Sequence, residues 1–178
     1  MRNLLIIFIA LILSSCGTVY EDENHRNVDP ALEYYVKSFE EDSGVMVTYT
    51  VDIVDIVGDG DQSFNTIGLC IENTETTERL FHRKRVKNTK TVQIQRSWWE
   101  SRGSGSYLGE EERMLLIYHE LGHCSLGLEH DETVINTDNG TCFASAMSSQ
   151  MPSMLCINTL GIDTYLQTIT PYRVPREL

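Results

Sequence analysis

The chain has 178 residues, 41% hydrophobic and 22% charged, with only 4 prolines, a composition that excludes an intrinsically disordered protein. That length builds one self-sufficient core and excludes two large domains. With 26 Asp and Glu against 14 Lys and Arg, a formal charge of -12 and no long basic run, affinity through neutralised phosphates is excluded, and no nucleic-acid partner is expected.

Residues 1–15 carry one charge, Arg2, then an almost unbroken apolar stretch from Leu4 to Leu13 and two small residues. This is the pattern of a secretory signal, too short to cross the bilayer as a helix. Leu13-Ser14-Ser15-Cys16 resembles the lipobox of bacterial lipoproteins. The resemblance implies cleavage before Cys16, acylation of its thiol and amine, and lipid anchoring in the bacterial cell envelope. In that family a glycine in the place of Gly17 goes with the outer membrane of a diderm cell. More than one acyl chain anchors stably without a protein span. Residues 16–28 are polar and charged and read as the acylated tether, leaving 29–178 as the folded domain.

Asp29-Pro30 is a helix start, a capping carboxylate followed by proline. Leu32, Tyr35, Val36 and Phe39 follow at helical spacing until Gly44. Val45 to Val57 alternates as a strand, with Val45, Val47, Tyr49, Val51 and Ile53 on one face, and Gly58-Asp59-Gly60-Asp61 turns the chain. Phe64 to Ile71 is a second expected strand. The basic run from Arg79 to Lys90 is expected to form a solvated hairpin or loop. Thr91 to Arg96 alternates again and leads into Trp98-Trp99, one of which should face the core while the pair borders a substrate cleft. Serine and glycine between Ser101 and Gly109 form a linker. From Gly109 a strong helix is predicted: Glu110, Glu111 and Glu112 suit its N-terminus, and Met114, Ile117, Leu121, Cys124 and Leu128 define a core-facing stripe. Besides Cys16, the cysteines Cys70, Cys124, Cys142 and Cys156 allow three complete pairings. The short loop from Cys142 to Cys156 is the cheapest bond, and Cys124 also reads as a buried thiol.

His119-Glu120-Leu121-Gly122-His123 lies within that last helix. Histidines four apart stand about 40° apart around the axis and about 6 Å along it, so both imidazoles reach one ion. Glu120 can lean over the same ion without binding it and deprotonate a metal-bound water. Gly127 ends the helix, and a chain reversing there returns His130 as third ligand, with Asp131 as the alternative donor.

These residues resemble the HExxHxxGxxH motif of metzincin metallopeptidases, and Ser145-Ala146-Met147 is similar to the methionine turn that underlies their metal. The HELGHC, HD and SxM segments together resemble small zincin-like bacterial lipoproteins. Glycine and third histidine each fall one residue later than in metzincins. The resemblance implies an α+β, zincin-like fold: a small mixed sheet, an N-terminal helix, an active-site helix and a Met-turn. It implies Zn²⁺ held by His119, His123 and His130, with Met147 in the turn or Met151 in its place. The activity implied is hydrolysis of peptide or protein substrates by Glu120-assisted attack of zinc-bound water. No oxyanion donor is evident: Ser149 stands where some metzincins carry a tyrosine, and Tyr165 and Tyr172 are candidates by reach alone. The competing readings are a non-catalytic envelope module with a structural zinc and a zinc amidase acting on cell-wall peptides.

Overall fold

The computed structural model describes residues 19–22, 25–56, 66–79, 83–101 and 107–171. The signal segment, Cys16, the turn at 58–61, Phe64 and Tyr172 lie outside the described residues. The architecture is mixed α+β.

Helix α1 (Glu33–Ser43) begins later than Asp29-Pro30 suggests: its N-cap is Leu32, without a side-chain cap, and Asp29 closes the preceding turn, its Oδ1 accepting the Ala31 N–H at 2.8 Å. Gly44 ends the helix at φ 72°, with its N–H on the carbonyl of Glu40, a conformation that a residue without Cβ adopts cheaply. Leu32, Tyr35, Val36 and Phe39 are buried, and Phe39 meets Tyr118 edge to face.

Three short strands that run parallel to β5, and the long hairpin of β4 and β5, make the main sheet, in which β1 is Val19–Asp22, β2 Asn27–Val28, β3 Thr50–Val54, β4 Gly68–Arg79 and β5 Arg83–Gln95. β4 pairs antiparallel along one edge of β5, from Gly68 opposite Ile94 to Arg79 opposite Arg83. On the other edge β3 runs parallel to Thr91–Gln95 and β1 parallel to Arg85–Asn88, while β2 pairs with the outer side of β3. Val51, Ile53, Val92 and Ile94 are buried together on the inner face.

Several boundaries differ from the sequence reading. The alternation in Val47, Tyr49, Val51 and Ile53 is the buried face, but the ladder starts only at Thr50, because the Val47 N–H is taken by Glu40 Oε1. The second strand begins later than expected and runs on to Arg79. Glu72 to Thr76 are exposed, so this stretch shows no apolar alternation. Its partners explain the basic run: Glu72, Glu75 and Glu78 stand opposite Lys90, Lys87 and Lys84. The hairpin half of that expectation holds and the loop half does not.

Trp98 and Trp99 belong to a short helix, α2 (Arg96–Ser101), rather than to a strand. Trp99 is buried between the ring of Tyr35 and the guanidinium of Arg113, 4.2 Å above it, and Trp98 packs half-buried on the core. Both are structural here.

Helix α3 (Tyr107–Leu126) is the central element, packed against β4, α1 and the C-terminal helix α5 (Ile162–Ile169). Being enclosed by these, it is buried on all sides from Leu115 through Gly122 rather than along one stripe. A small hairpin, β6 (Val134–Thr137) with β7 (Gly140–Phe143), and helix α4 (Met154–Leu160) follow. Two disulfides tie the fold: Cys142–Cys156, joining β7 to α4, and Cys70–Cys124, joining β4 to α3. Cys124 is therefore no free thiol, and Cys70 is committed as well.

Candidate metal centre

Helix α3 supplies His119, Glu120 and His123, and its geometry turns both imidazoles to one side. His119 Nδ1 lies 2.8 Å from the carbonyl oxygen of Ala146, and His123 Nδ1 lies 2.6 Å from that of Leu128. A carbonyl only accepts, so each Nδ1 carries the proton and each Nε2 keeps its lone pair. In those neutral tautomers the two Nε2 lone pairs face each other at 3.1 Å. Two neutral acceptors that close repel, and a shared cation turns the repulsion into attraction.

The chain bend that brings the third imidazole is local. Gly127 has φ 64°, its N–H donates to the carbonyl of His123, and the Leu128 N–H donates to that of Gly122. His130 follows on an exposed loop, its ring centroid 4.8 Å from that of His123 and 5.4 Å from that of His119. One ligand atom from each of the three histidines lies within 4.8 Å of the other two. Asp131, the alternative donor, is outside this cluster. Its Oδ1 accepts the Thr133 N–H and its own N–H donates to the carbonyl of Met147. Asp163 is likewise not part of the cluster.

Beneath the histidines runs the turn Ser145-Ala146-Met147, closed by Ser145 Oγ accepting the Met147 N–H at 3.0 Å. Met147 is buried against α3: a Cβ on Gly122 would stand 2.8 Å from its Sδ. Met147 is thus the methionine under the helix, and Met151 lines the neighbouring cavity instead. The same turn holds His119 through Ala146, so ligand and turn are one structural unit.

Glu120 is nearly fully buried at the foot of a cavity of about 840 Å³. A Cβ on Gly68 would lie 2.4 Å from its Oε1, so only glycine in β4 leaves room for the carboxylate. Burial raises Glu120 to about 8 in the metal-free chain, with the Cys70 backbone opposing the shift. Burial likewise lowers His119 to about 4, which keeps the ring neutral and able to ligate. The cavity is also lined by Ile67, Leu69, Leu116, Glu72, Glu129 and Met151. Neither tryptophan is among its lining residues, contrary to the expectation of a tryptophan border. Tyr165 is no oxyanion donor here: it is buried with its hydroxyl on the carbonyl of Phe143.

Sequence reasoning missed Glu132, Gly68 and Gly122. Glu132 accepts from Ser148 Oγ and from the Ser149 N–H, which ties the His130 loop to the methionine turn. Its position two residues after His130 was the available signal. Nothing local marked the glycines, whose neighbours are remote in sequence.

Three imidazoles, two of them with carbonyl-fixed tautomers, suit zinc, and equally other imidazole-binding transition metals. In a tetrahedral zinc site with bonds of about 2.1 Å, the nitrogens stand about 3.4 Å apart, close to the spacing of the two helix histidines. No known protein-family model, curated protein or solved structure matches the chain.

Proposed function

We propose that this chain is a zinc-dependent peptidase with a zincin-like fold, carried on the bacterial cell envelope by a lipid on Cys16. The observation that carries the reading is the pair of lone-pair nitrogens of His119 and His123, 3.1 Å apart, with His130 closing the set and a buried carboxyl on the next residue facing the same cavity. A structural zinc site has no use for Glu120, and it closes with a fourth protein ligand, which the His/Cys/Asp/Glu cluster among the described residues lacks.

Bound zinc supplies Lewis acidity and makes a water acidic near neutral pH. His119, His123 and His130 hold the ion, with Ala146 and Leu128 orienting the first two rings. Glu120 takes the proton of the attacking water and passes it to the leaving amine. A cation beside this carboxyl reverses the effect of burial and favours the ionised base. The edge of β4 beside the cavity, which no strand among the described residues covers, is suited to pairing with an extended peptide.

The test is zinc content and hydrolysis of unfolded casein and of peptidoglycan, side by side, by the processed full chain. One zinc per chain is expected, and Glu120→Gln should retain it while lowering casein turnover by about 100-fold or more. Tight zinc without any turnover sensitive to Glu120→Gln would replace this reading with a non-catalytic envelope module. Turnover of peptidoglycan alone would make the protein an amidase.

A further inference from the structure

We infer that the Cys70–Cys124 disulfide is a positioning device for Glu120: it clamps the edge of β4 onto the carboxylate, so that the site is assembled only in the oxidised chain. The inference rests on the role given to Glu120 above.

The Gln95 N–H donates to the carbonyl of Ile67 at 2.9 Å, so the backbone of Ile67 faces β5. Successive residues of an antiparallel strand turn their backbone groups to opposite sides. The N–H groups of Gly68 and Cys70 therefore point to the far edge, where no strand among the described residues pairs with β4. On that side Gly68 stands hard against the Glu120 carboxyl, and the Cys70 backbone beside it favours the ionised form. Glu120 and Cys124 are four apart on α3 and so share a face, and the same short run of β4 meets both of them: Gly68 stands against the carboxyl and Cys70 Sγ is bonded to Cys124. A polar tie between the hairpin and the end of α3 is Lys90, which bonds the carbonyl of Cys124 and pairs with Glu72. That ion pair is partly solvent-exposed, and such pairs hold weakly.

The bond is open to attack from one end. Cys124 is buried, whereas Cys70 lines the cavity. One thiolate of a dithiol reductant attacks Cys70 Sγ and expels the Cys124 thiolate, which takes up a proton. The second thiolate of the reductant then closes its own disulfide and releases the Cys70 thiolate, which is protonated in turn. Two electrons pass to the chain, and two thiols replace the clamp. Activation would follow transfer to an oxidising compartment. Cys142–Cys156 is the natural control, since neither residue lines the cavity.

The experiment titrates the zinc-loaded full chain, as wild type and as Cys142→Ala/Cys156→Ala, with dithiothreitol, mapping each bond by alkylation. Should the double variant fold poorly, the alkylation map of the wild type makes the same comparison. Amide hydrogen exchange at 68–72, zinc stoichiometry, and kcat and KM on casein are followed together. Reduction of Cys70–Cys124 should speed exchange at Cys70 at least tenfold and lower kcat at least tenfold. Zinc stoichiometry should hold, KM should stay within threefold, and reoxidation should restore both exchange and kcat. Unchanged exchange at Cys70 after verified reduction overturns the inference, as does parallel loss of zinc and kcat. If the oxidised chain never cleaves casein, the peptidase reading fails, while exchange at Cys70 still decides whether the clamp exists.

Discussion

Glu132 shows how a charged residue on an exposed loop acquires a task through its two hydrogen bonds. Its carboxylate receives Ser148 Oγ at 3.1 Å and the Ser149 N–H at 2.9 Å, and the Asp131 N–H reaches the carbonyl of Met147 beside them. Together they dock the segment carrying His130, the one ligand not held by a helix, onto the turn that already orients His119. Glu132→Gln keeps the shape but replaces one of the two accepting oxygens by an NH2 donor and takes the charge from the other, and supporting contacts of this kind typically tune metal affinity by 10- to 100-fold. We expect zinc affinity, measured by competition with a chromophoric chelator, to fall by about tenfold. Asp131→Asn, whose side chain bonds only its own loop, should change it less than threefold. The closeness of His119 and His123 was legible from spacing alone, because a helix converts a separation of four residues into proximity without any tertiary information. Glu132 was not, since its partners lie 16 and 17 residues downstream and only the folded chain brings them close.

At the scale of elements, the same distinction separates what periodicity reveals from what it conceals. α1 and the buried face of β3 were readable because each has one dry and one wet side. β4 beyond Cys70 was not, because Glu72 to Thr76 are exposed and their strand conformation comes from β5 opposite them. Trp98 and Trp99 were misassigned to a strand because two adjacent aromatics carry no period of their own, and the helix that contains them spans only six residues. Two glycines stand at tight contacts between elements. Alanine at Gly68 would meet Glu120 at Oε1, Cδ and Cγ, all within 2.7 Å, whereas alanine at Gly122 would meet Met147 Sδ at 2.8 Å. The first should displace the base and leave the histidines alone, lowering turnover by about 10- to 100-fold at unchanged zinc stoichiometry. The second overpacks α3 against the methionine turn and should cost about 1–3 kcal/mol in urea unfolding. A Gly68→Ala chain with full turnover would show that Glu120 is not the base.

For the whole molecule, burying two titratable groups side by side writes the metal site into the pH dependence of stability. Glu120 is held at about 8 against an ordinary 4.5, so the metal-free fold retains a proton that the unfolded chain releases, and stability falls as pH rises from 4.5 to 8. His119 is held at about 4 against 6.5, so the unfolded chain gains a proton that the fold refuses, and stability falls as pH drops from 6.5 to 4. Between 4.5 and 6.5 the two slopes oppose and cancel, which predicts a plateau there and a decline above 6.5 that belongs to Glu120 alone. At one pKa unit per 1.4 kcal/mol, that decline amounts to about 2 kcal/mol by pH 8. Glu120→Gln should abolish it, leaving the metal-free variant more stable than wild type at pH 8 in urea titrations. Zinc reverses the dependence, because neutral imidazoles and an ionised Glu120 both favour the bound ion and both become more abundant as pH rises. Zinc at 100 times its dissociation constant adds about 2.7 kcal/mol, so the loaded chain should be most stable at neutral to mildly alkaline pH, where the metal-free chain is losing stability. A metal-free wild type whose stability stays flat from pH 6.5 to 8 would mean that Glu120 is solvated, and the dry carboxyl on which the proposed chemistry depends would be lost.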